Sequence, residues 1–464
     1  MRLAIPIRED GINLRYSKVT RTHDGTLQFM KSAFAQYTLP NLRHLRVALE
    51  VSRSRSVTQA AKLAHLSQPA VTQAINKLER ELRIALFERS RTGLQPAAAG
   101  TAFLSRVERA FEHLTYGAQQ ALRVSNRSKE SGFRNFDALM TAQQLRALIA
   151  LSDHRNFSVA AREVGIAQPS IHRAARNLES LSGLELFRTT PIGIELTASA
   201  QVLMPAAKLA YAEIRQGLDE IKEALGRGRT NFHLGALPMA RTMIVPHAVN
   251  EMIRHSPGLQ IHVLDGRYEE LLRGLREGDI DCLIGALRNP PSADDVIQEP
   301  LVSDPLAIVA RSGHPLATRN TVSLQDTLAY PWVAPPKTTP AGIYLFDTLR
   351  IGEMAQTPVR VVSSSLVFLR GLLQEGDYLT IISRHQIQEE ERQGLLAALP
   401  VQLCNNELNI GLTYRANWRP TSVQKRLLNL LRHAAMRIHN GHLQLSLESM
   451  ALPAFELVAQ DAQP

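Results

Sequence analysis

The feature that most constrains this chain is an internal repeat at a fixed offset of 100 residues. Gln68-Pro69 recurs as Gln168-Pro169, Leu86-Phe87 as Leu186-Phe187, and Ala60-Ala61 as Ala160-Ala161. Leu45-Arg46, Leu78-Glu79 and Gly93 keep the same register with Leu145-Arg146, Leu178-Glu179 and Gly193. Ungapped identity of this kind marks duplication of one structural unit. Two copies are too few for a solenoid, so two small domains are expected within the 464 residues.

Each unit reads as short helices. In the first, Leu42, Leu45 and Leu49 form one apolar stripe, and Ser56 or Thr58 caps a helix carrying Ala60, Ala61 and Leu63 inside. His65-Leu66 make a turn, Ser67 stands at an N-cap, and Pro69 falls just inside the next helix. That helix buries Val71, Ile75 and Leu78 and leaves Gln68, Thr72, Gln73, Asn76 and Lys77 outside. Paired alanines allow two helices to approach closely at a steep angle. The pattern is that of a helix-turn-helix whose second helix is free to enter a major groove. In the second unit, capped near Asn156 or Ser158, the outward residues are Gln168, Pro169, Ser170, His172, Arg173 and Arg176.

Leu86-Phe87-Glu88-Arg89-Ser90-Arg91 and Leu186-Phe187-Arg188-Thr189 follow, apolar anchors ahead of a polar turn. This suits a wing, with Arg89, Arg91 and Arg188 placed for phosphate contact, which supplies affinity more than specificity. The net charge is +10, and about 15 Lys and Arg against 7 acids lie between residues 41 and 130. A polyanionic partner, double-stranded DNA, is therefore expected at the N-terminal end. A plain helical bundle with a solvated face is the alternative, and two registered copies in a basic region weigh against it.

The stretch Ser67–Glu79 followed by Leu86-Phe87-Glu88-Arg89 resembles the signature of LysR-type transcriptional regulators. The resemblance covers roughly residues 41–105 and, less closely, 141–205. It implies a winged helix-turn-helix, a linker helix that pairs two subunits, and a periplasmic-binding-protein-like effector domain. The duplication departs from the family pattern, and Ala167 stands where a cap serine is usual. Two readings follow: both units touch DNA, or one binds while the other only packs or dimerises.

A long helical stretch follows each unit. In the second, about Ala198–Leu225, Leu203, Ala207, Ala210, Ile214, Leu218, Ile221 and Leu225 recur at helical spacing, a seam for a partner helix. Joined to the resemblance, this seam predicts a homodimer or homotetramer, with packing inside one chain as the alternative. The first stretch, about Thr101–Val124, could pair similarly.

From Asn231 strands and helices alternate: Phe232–Leu237, Arg241–Arg254, Gln260–Leu264, Tyr268–Arg276 and Ile280–Ile284. A second set of strands follows at Leu306–Ala310, Trp332–Ala334, Arg360–Val362 and Leu379–Ile382. Leu408–Tyr414 and the helix Ser422–His439 then return to the first lobe. The stretch from His233–Pro238 through Glu270–Gly285 resembles the start of the LysR-type effector domain, and His314-Pro315-Leu316-Ala317 resembles a recurring segment of it. Crossings near Gly285–Arg288 and Asn406–Gly411 would leave a cleft. Its candidate lining is Pro238 and Met239, Asp265 to Arg267, Lys337, Thr338 and Thr339, and Ser363, Ser364 and Ser365. The three serines could bind a small organic effector, a carboxylate among the candidates, or could simply cap a helix. His262, His385 and Glu389 to Glu391 are expected at the surface.

The expected class is thus multidomain: two all-α winged helix-turn-helix domains with linker helices, then a two-lobed α/β domain. The expected limits are an N-terminal extension at 1–38, winged units at 39–97 and 137–196, and linkers at 98–136 and 197–228. The effector domain spans 231–440 (lobe I 231–288 and 411–440, lobe II 293–406), with a tail at 441–464. Met30 is an alternative start. Cys282 and Cys404, the only cysteines, are each expected buried in a strand. Nothing resembles a metal-ligand spacing, a phosphate loop or a nucleophile–base signature, so no metal, cofactor or enzymatic activity is expected. No run of about 18 apolar residues exists and no signal peptide develops, so a cytoplasmic protein is expected. A cytosolic solute-binding protein or enzyme on the same α/β fold would explain the second half but not the repeat.

Overall fold

The structure, a computed structural model, describes residues 38–439 except 91–92, 126–131, 192, 227–229, 257 and 354–357. The N-terminal extension, the C-terminal tail and Arg91 thus lie outside the described residues.

The first unit comprises α1 (Leu42–Ser54), α2 (Val57–Leu63), α3 (Gln68–Leu82), the hairpin β1 (Phe87–Ser90) and β2 (Gly93–Pro96), and the long helix α4 (Ala98–Val124). The second repeats it as α5 (Ala142–His154), α6 (Phe157–Val164), α7 (Gln168–Ser182), β3 (Phe187–Thr190), β4 (Gly193–Leu196) and α8 (Ala198–Ala224). Every element of the second starts 100 residues after its counterpart. Local chemistry sets the boundaries. Asn41 and Ser56 cap α1 and α2, while Thr141 forms a reciprocal capping box with Gln144 and Asn156 caps α6. Glu79 accepts from the Leu86 and Phe87 amides at 2.7 and 3.2 Å, and Glu179 accepts from Leu186 and Phe187 at 2.8 and 3.0 Å. One carboxylate thereby ties each hairpin to the helix before it. Gly93 and Gly193 have φ of +117° and +137°, which glycine adopts without strain, and a Cβ at either would also strike the carbonyl oxygen of Arg55 or Arg155.

Helices α4 and α8 make the most extensive element contact among the described residues. Leu203, Ala207, Ala210, Ile214 and Ile221 share one core with Phe103, Val107, Ala110 and Leu114 of α4. This corrects the expectation that the Ala198–Leu225 seam awaits a second subunit. The seam is filled within the chain, because the duplication supplies a second linker helix.

The C-terminal domain is built on β5 (Thr230–Ala236), α9 (Ile244–His255), β6 (Leu259–Leu264), α10 (Tyr268–Glu277), β7 (Cys282–Ala286) and β8 (Val296–Arg311). It continues with β9 (Trp332–Ala334), β10 (Val359–Val362), α11 (Leu366–Glu375), β11 (Leu379–Ser383), β12 (Leu396–Ala398), β13 (Glu407–Arg415) and α12 (Ser422–His439). The strands lie in the order β10-β9-β11-β8-β13-β7-β5-β6, with β12 beside β8. The sheet is mixed, parallel at β10-β9-β11 and at β7-β5-β6 and antiparallel where β8 and β13 pair, and apolar clusters cover both faces of each lobe.

Three expectations change here. The helix expected over Arg241–Arg254 is a single turn at Pro238–Arg241 and then α9, since Pro246 has no N–H to offer the carbonyl of residue 242. The first lobe crossing is not at Gly285–Arg288. It lies inside β8, which pairs with β13 as far as Pro305 and with β11 from Leu306 onward, so residues 293–305 belong with lobe I. Cys282 is buried in β7, but Cys404 is exposed in a bend ahead of β13.

Candidate nucleic-acid interface and ligand cleft

Helix α3 starts at the Ser67 cap, whose Oγ accepts from the Ala70 amide at 3.3 Å, with Pro69 in the first turn. Val71, Ala74, Ile75, Leu78 and Leu82 anchor it in the core. The opposite face is exposed: Gln68, Pro69, Thr72 and Gln73 border a shallow depression with Asn76 and Arg80, and Lys77 is exposed beside them. Arg80 escaped the sequence reading, although it stands one helical turn beyond Asn76.

Helix α7 shows the same burial pattern, with Ile171, Ala174, Ala175 and Leu178 inward and Gln168, Pro169, His172, Arg173 and Arg176 outward. Ser170 is half-buried. Its cap differs, because Ala167 offers no side chain to the free amides. Ser158 Oγ donates to Gln168 at 2.9 Å, the His172 ring lies 4.9 Å from Phe157, and Arg176 pairs with Glu179 at 2.7 Å. In the wings, Arg89 and Arg188 are exposed, and Arg188 stands 3.4 Å from Glu185.

A cleft of about 690 Å³ lies between the lobes. Pro238, Met239, Asp265, Arg267, Thr338, Thr339, Ser363 and Ser364 line it. Two candidates fall away. Lys337 is not among the lining residues, and its Nζ sits 4.8 Å from the Phe346 ring. Ser365 caps α11 by accepting from the Phe368 amide at 3.3 Å. Arg241 and Asp265 neutralise each other at 3.0 Å.

The unforeseen cation is Arg288, stacked 4.5 Å from the Tyr268 ring and without an ion pair among the described residues. Burial lowers its pKa. In the same wall Tyr268 Oη is buried without a hydrogen-bond partner among the described residues. Nearby, Ser383 lines the cleft and donates to the buried Asp304, which His385 Nδ1 meets at 2.6 Å. His385 is therefore no free surface residue. Nor is Glu390, which is buried against Arg370 at 2.6 Å; His262 is half-buried, stacked on His233.

Helix α8 joins the two halves. Lys208 Nζ lies 2.7 Å from Asp153 of the second unit, and 3.0 and 2.7 Å from Glu277 and Asp279 of the C-terminal domain. Burial by itself would depress the ammonium pKa, but Asp279, Asp153 and Glu277 carry it well above the ordinary lysine value. Arg215 reaches Asp281 at 3.3 Å and His233 at 3.1 Å. Burial works against the Asp281 carboxylate, yet Arg215 and His233 hold its pKa below the usual range. Burying these charges is tolerable only because each has its counter-ion.

Comparison with known proteins agrees with this geometry. The family model for the LysR substrate binding domain matches residues 226–436. The model for the bacterial regulatory helix-turn-helix protein, lysR family, matches twice, at residues 42–101 and 142–201. The chain is 31% identical to the HTH-type transcriptional regulator GalR of Pseudomonas putida over 82% of its own length and 93% of that protein's. It is 26% identical to the HTH-type transcriptional regulator PcaQ of Agrobacterium fabrum over 66% and 98%. Full-length OxyR from Pseudomonas aeruginosa aligns with a TM-score of 0.48 at 19% identity, over 64% of this chain and 95% of that one. The duplicated helix-turn-helix, the two-lobed domain, the family-model matches and the likeness to GalR place the chain in the LysR family of DNA-binding transcriptional regulators, which are not enzymes.

Proposed function

We propose that both winged units contact double-stranded DNA, through Ser67, Gln68, Pro69, Thr72, Gln73 and Lys77 of the first and Gln168, Pro169, Ser170, His172, Arg173 and Arg176 of the second. Arg89, Arg91 and Arg188 serve the phosphates. The observation that carries this reading is the identical register of burial on α3 and α7, which leaves the same helix face open in both copies. Arginine at 173 or 176 suits a guanine edge, and Gln73 suits adenine. The test is a footprint on a bound duplex. Gln73→Ala with Lys77→Ala should trim one part of it, and His172→Ala with Arg173→Ala another. A folded second variant with unchanged footprint and affinity would reduce the second unit to a spacer.

The cleft's occupant, in this reading, is a small organic effector bearing a carboxylate. It is held by Arg288 and the Ser363, Ser364 and Thr338 hydroxyls, with the Tyr268 hydroxyl free to donate. Screening small organic acids by thermal shift with the wild-type protein and Arg288→Met would test it. An acid that stabilises both equally does not use this anchor. The regulator works in the cytoplasm alongside RNA polymerase, as a homodimer or homotetramer built through surfaces other than the α8 seam. No helix among the described residues is long and apolar enough to cross a membrane.

A further inference from the structure

We infer that a single chain carries a complete two-fold DNA reader, so that one chain, not two, occupies a pair of half-sites. This rests on both units contacting DNA and concerns how many chains that takes.

The pairing of α4 with α8 has the symmetry of a dimer. A Cβ placed on Gly117 would collide with the Ala206 Cβ and lie 3.4 Å from Leu203. One placed on Gly217 would lie 2.9 Å from Phe103 Cδ2 and 3.2 Å from the Arg106 Cβ. Exchanging the copies, by adding 100 to 117 and subtracting 100 from 203 and 206, turns the first contact set into the second. Only an antiparallel crossing with a local two-fold does this. The winged units therefore stand at opposite ends of the helix pair. A two-fold preserves direction along its own axis, so α3 and α7 face the same side. Each linker helix has 27 residues, about 40 Å at 1.5 Å per residue. That is close to the roughly 34–36 Å between successive major-groove faces on one side of B-DNA.

The seam is also built for unlike helices. Arg106 of α4 reaches Glu213 at 3.0 Å and Glu220 at 2.7 Å, and Arg109 reaches Glu213 at 2.9 Å. At the mirrored crossing Ala206 and Leu209 of α8 stand in place of the arginines, and His113 and Gln120 of α4 in place of the acids. Pairing α8 with another α8 would bury Glu213 and Glu220 against Ala206 and Leu209, without a cation. Pairing α4 with another α4 would leave Arg106 and Arg109 without a carboxylate. Contacts between the two units continue past the seam. Ser199 Oγ donates to the Ala121 carbonyl at 3.2 Å near the end of α4, and Phe133 N already bonds Leu181 O of the second unit at 3.0 Å. The two recognition faces differ, with Thr72, Gln73, Asn76 and Lys77 against His172, Arg173, Arg176 and Asn177. The half-sites must then differ in sequence, and the chain binds them in one orientation.

The test has two arms. In a Cys404→Ser background, Ala121→Cys with Ser199→Cys should oxidise to a product that runs at the 51.5 kDa of one chain on a non-reducing gel. A product of twice that mass would show α4 and α8 pairing between chains and overturn the inference. In the second arm the unmodified full-length protein selects duplexes from a random-sequence pool, and native mass spectrometry counts chains per footprinted pair of half-sites. One chain per pair of unlike half-sites, about 10 bp apart, is expected. Two chains per pair, or two identical half-sites, would overturn this inference while leaving DNA contact by both units standing. If no duplex is retained, DNA binding and the inference fail together.

Discussion

Helices α4 and α8 descend from one ancestor segment and have the same length, yet their outer faces meet different surroundings. Position 108 is Glu, partly exposed and paired with Arg53 at the surface, whereas position 208 is Lys, buried among three carboxylates. Thr115 and the exposed Tyr116 correspond to Arg215 and Gln216, both buried against Asp281. Along α1 and α4 an open groove of about 1330 Å³ remains, while the matching hollow beside α5 and α8 is reduced to about 10 Å³ at Tyr211. The C-terminal domain packs mainly on α8 and meets α4 through Arg109, which donates to the Asn417 carbonyl, and Ser105, 3.2 Å from Arg419. A duplicated backbone keeps its caps, glycines and apolar seam, and its side chains diverge where one copy acquires a neighbour that the other mostly lacks.

The sharpest way to break this comparison is at positions 208 and 108. Lys208→Met leaves Asp153, Glu277 and Asp279 buried without their cation, and should cost the upper part of the roughly 3–5 kcal/mol expected for breaking a buried pair. Glu108→Ala removes an exposed partner and should cost less than about 1 kcal/mol. Urea midpoints at unchanged m would report both. The loss should also depend on pH. Burial raises the pKa of Glu277 and Asp279 even with Lys208 in place. Without Lys208 their folded pKa values rise further above the unfolded ones, so the penalty is full at neutral pH and shrinks as pH falls toward 4. A pH-independent loss would mean that packing, not charge, is what Lys208 supplies.

Next in size is the seam. Arg106→Ala leaves Glu213 and Glu220 in the interface and should cost about 3 kcal/mol. His113→Ala, at the mirrored crossing, takes away a half-buried ring whose pKa burial already lowers, so no cation is lost at neutral pH. A cost near 1 kcal/mol is expected there. Equal losses at the two positions would deny that the seam is polarised.

How much of this was open to sequence reading follows from what each signal encodes. The repeat, the caps and the helical stripes are local, and α3, α7, α8 and most strands of the C-terminal domain emerge within a residue or two. The partner of the α8 seam does not, because apolar spacing marks a face without naming what covers it. A clue existed in the divergence between copies, with Arg106 and Arg109 on one helix and Glu213 and Glu220 on the other. The extent of β8 was hidden because Pro300 and Pro305 interrupt it, and only pairing with β13 shows one strand serving both lobes. Arg288 and His385 were missed because their neighbours Tyr268 and Asp304 are distant in sequence.

At the recognition helices the difference narrows to one cap. Ser67→Ala should destabilise the first unit by about 1 kcal/mol, and Ala167→Ser should stabilise the second by a few tenths to about 1 kcal/mol. The measurement is amide exchange at the first turns of α3 and α7. If Ala167→Ser brings no protection, another group already serves those amides.

The smallest difference is expected in the wings. Arg89 and Arg188 occupy neighbouring places on equivalent strands, β1 and β3, and both side chains are exposed. A guanidinium that neutralises one phosphate releases close to one counter-ion, so removing it should flatten the plot of log affinity against log salt by about 0.9. Arg89→Ala should show that full change. Arg188 stands 3.4 Å from Glu185, which can draw it from a phosphate, so Arg188→Ala should change the slope by less. Removing Glu185 in the Arg188 background that keeps the arginine, as Glu185→Gln, should then steepen the slope toward the first unit's value. A slope change at Arg89 with none at Arg188 or Glu185 would mean that only the first wing lies on the phosphates, and the second unit would meet DNA through α7 alone.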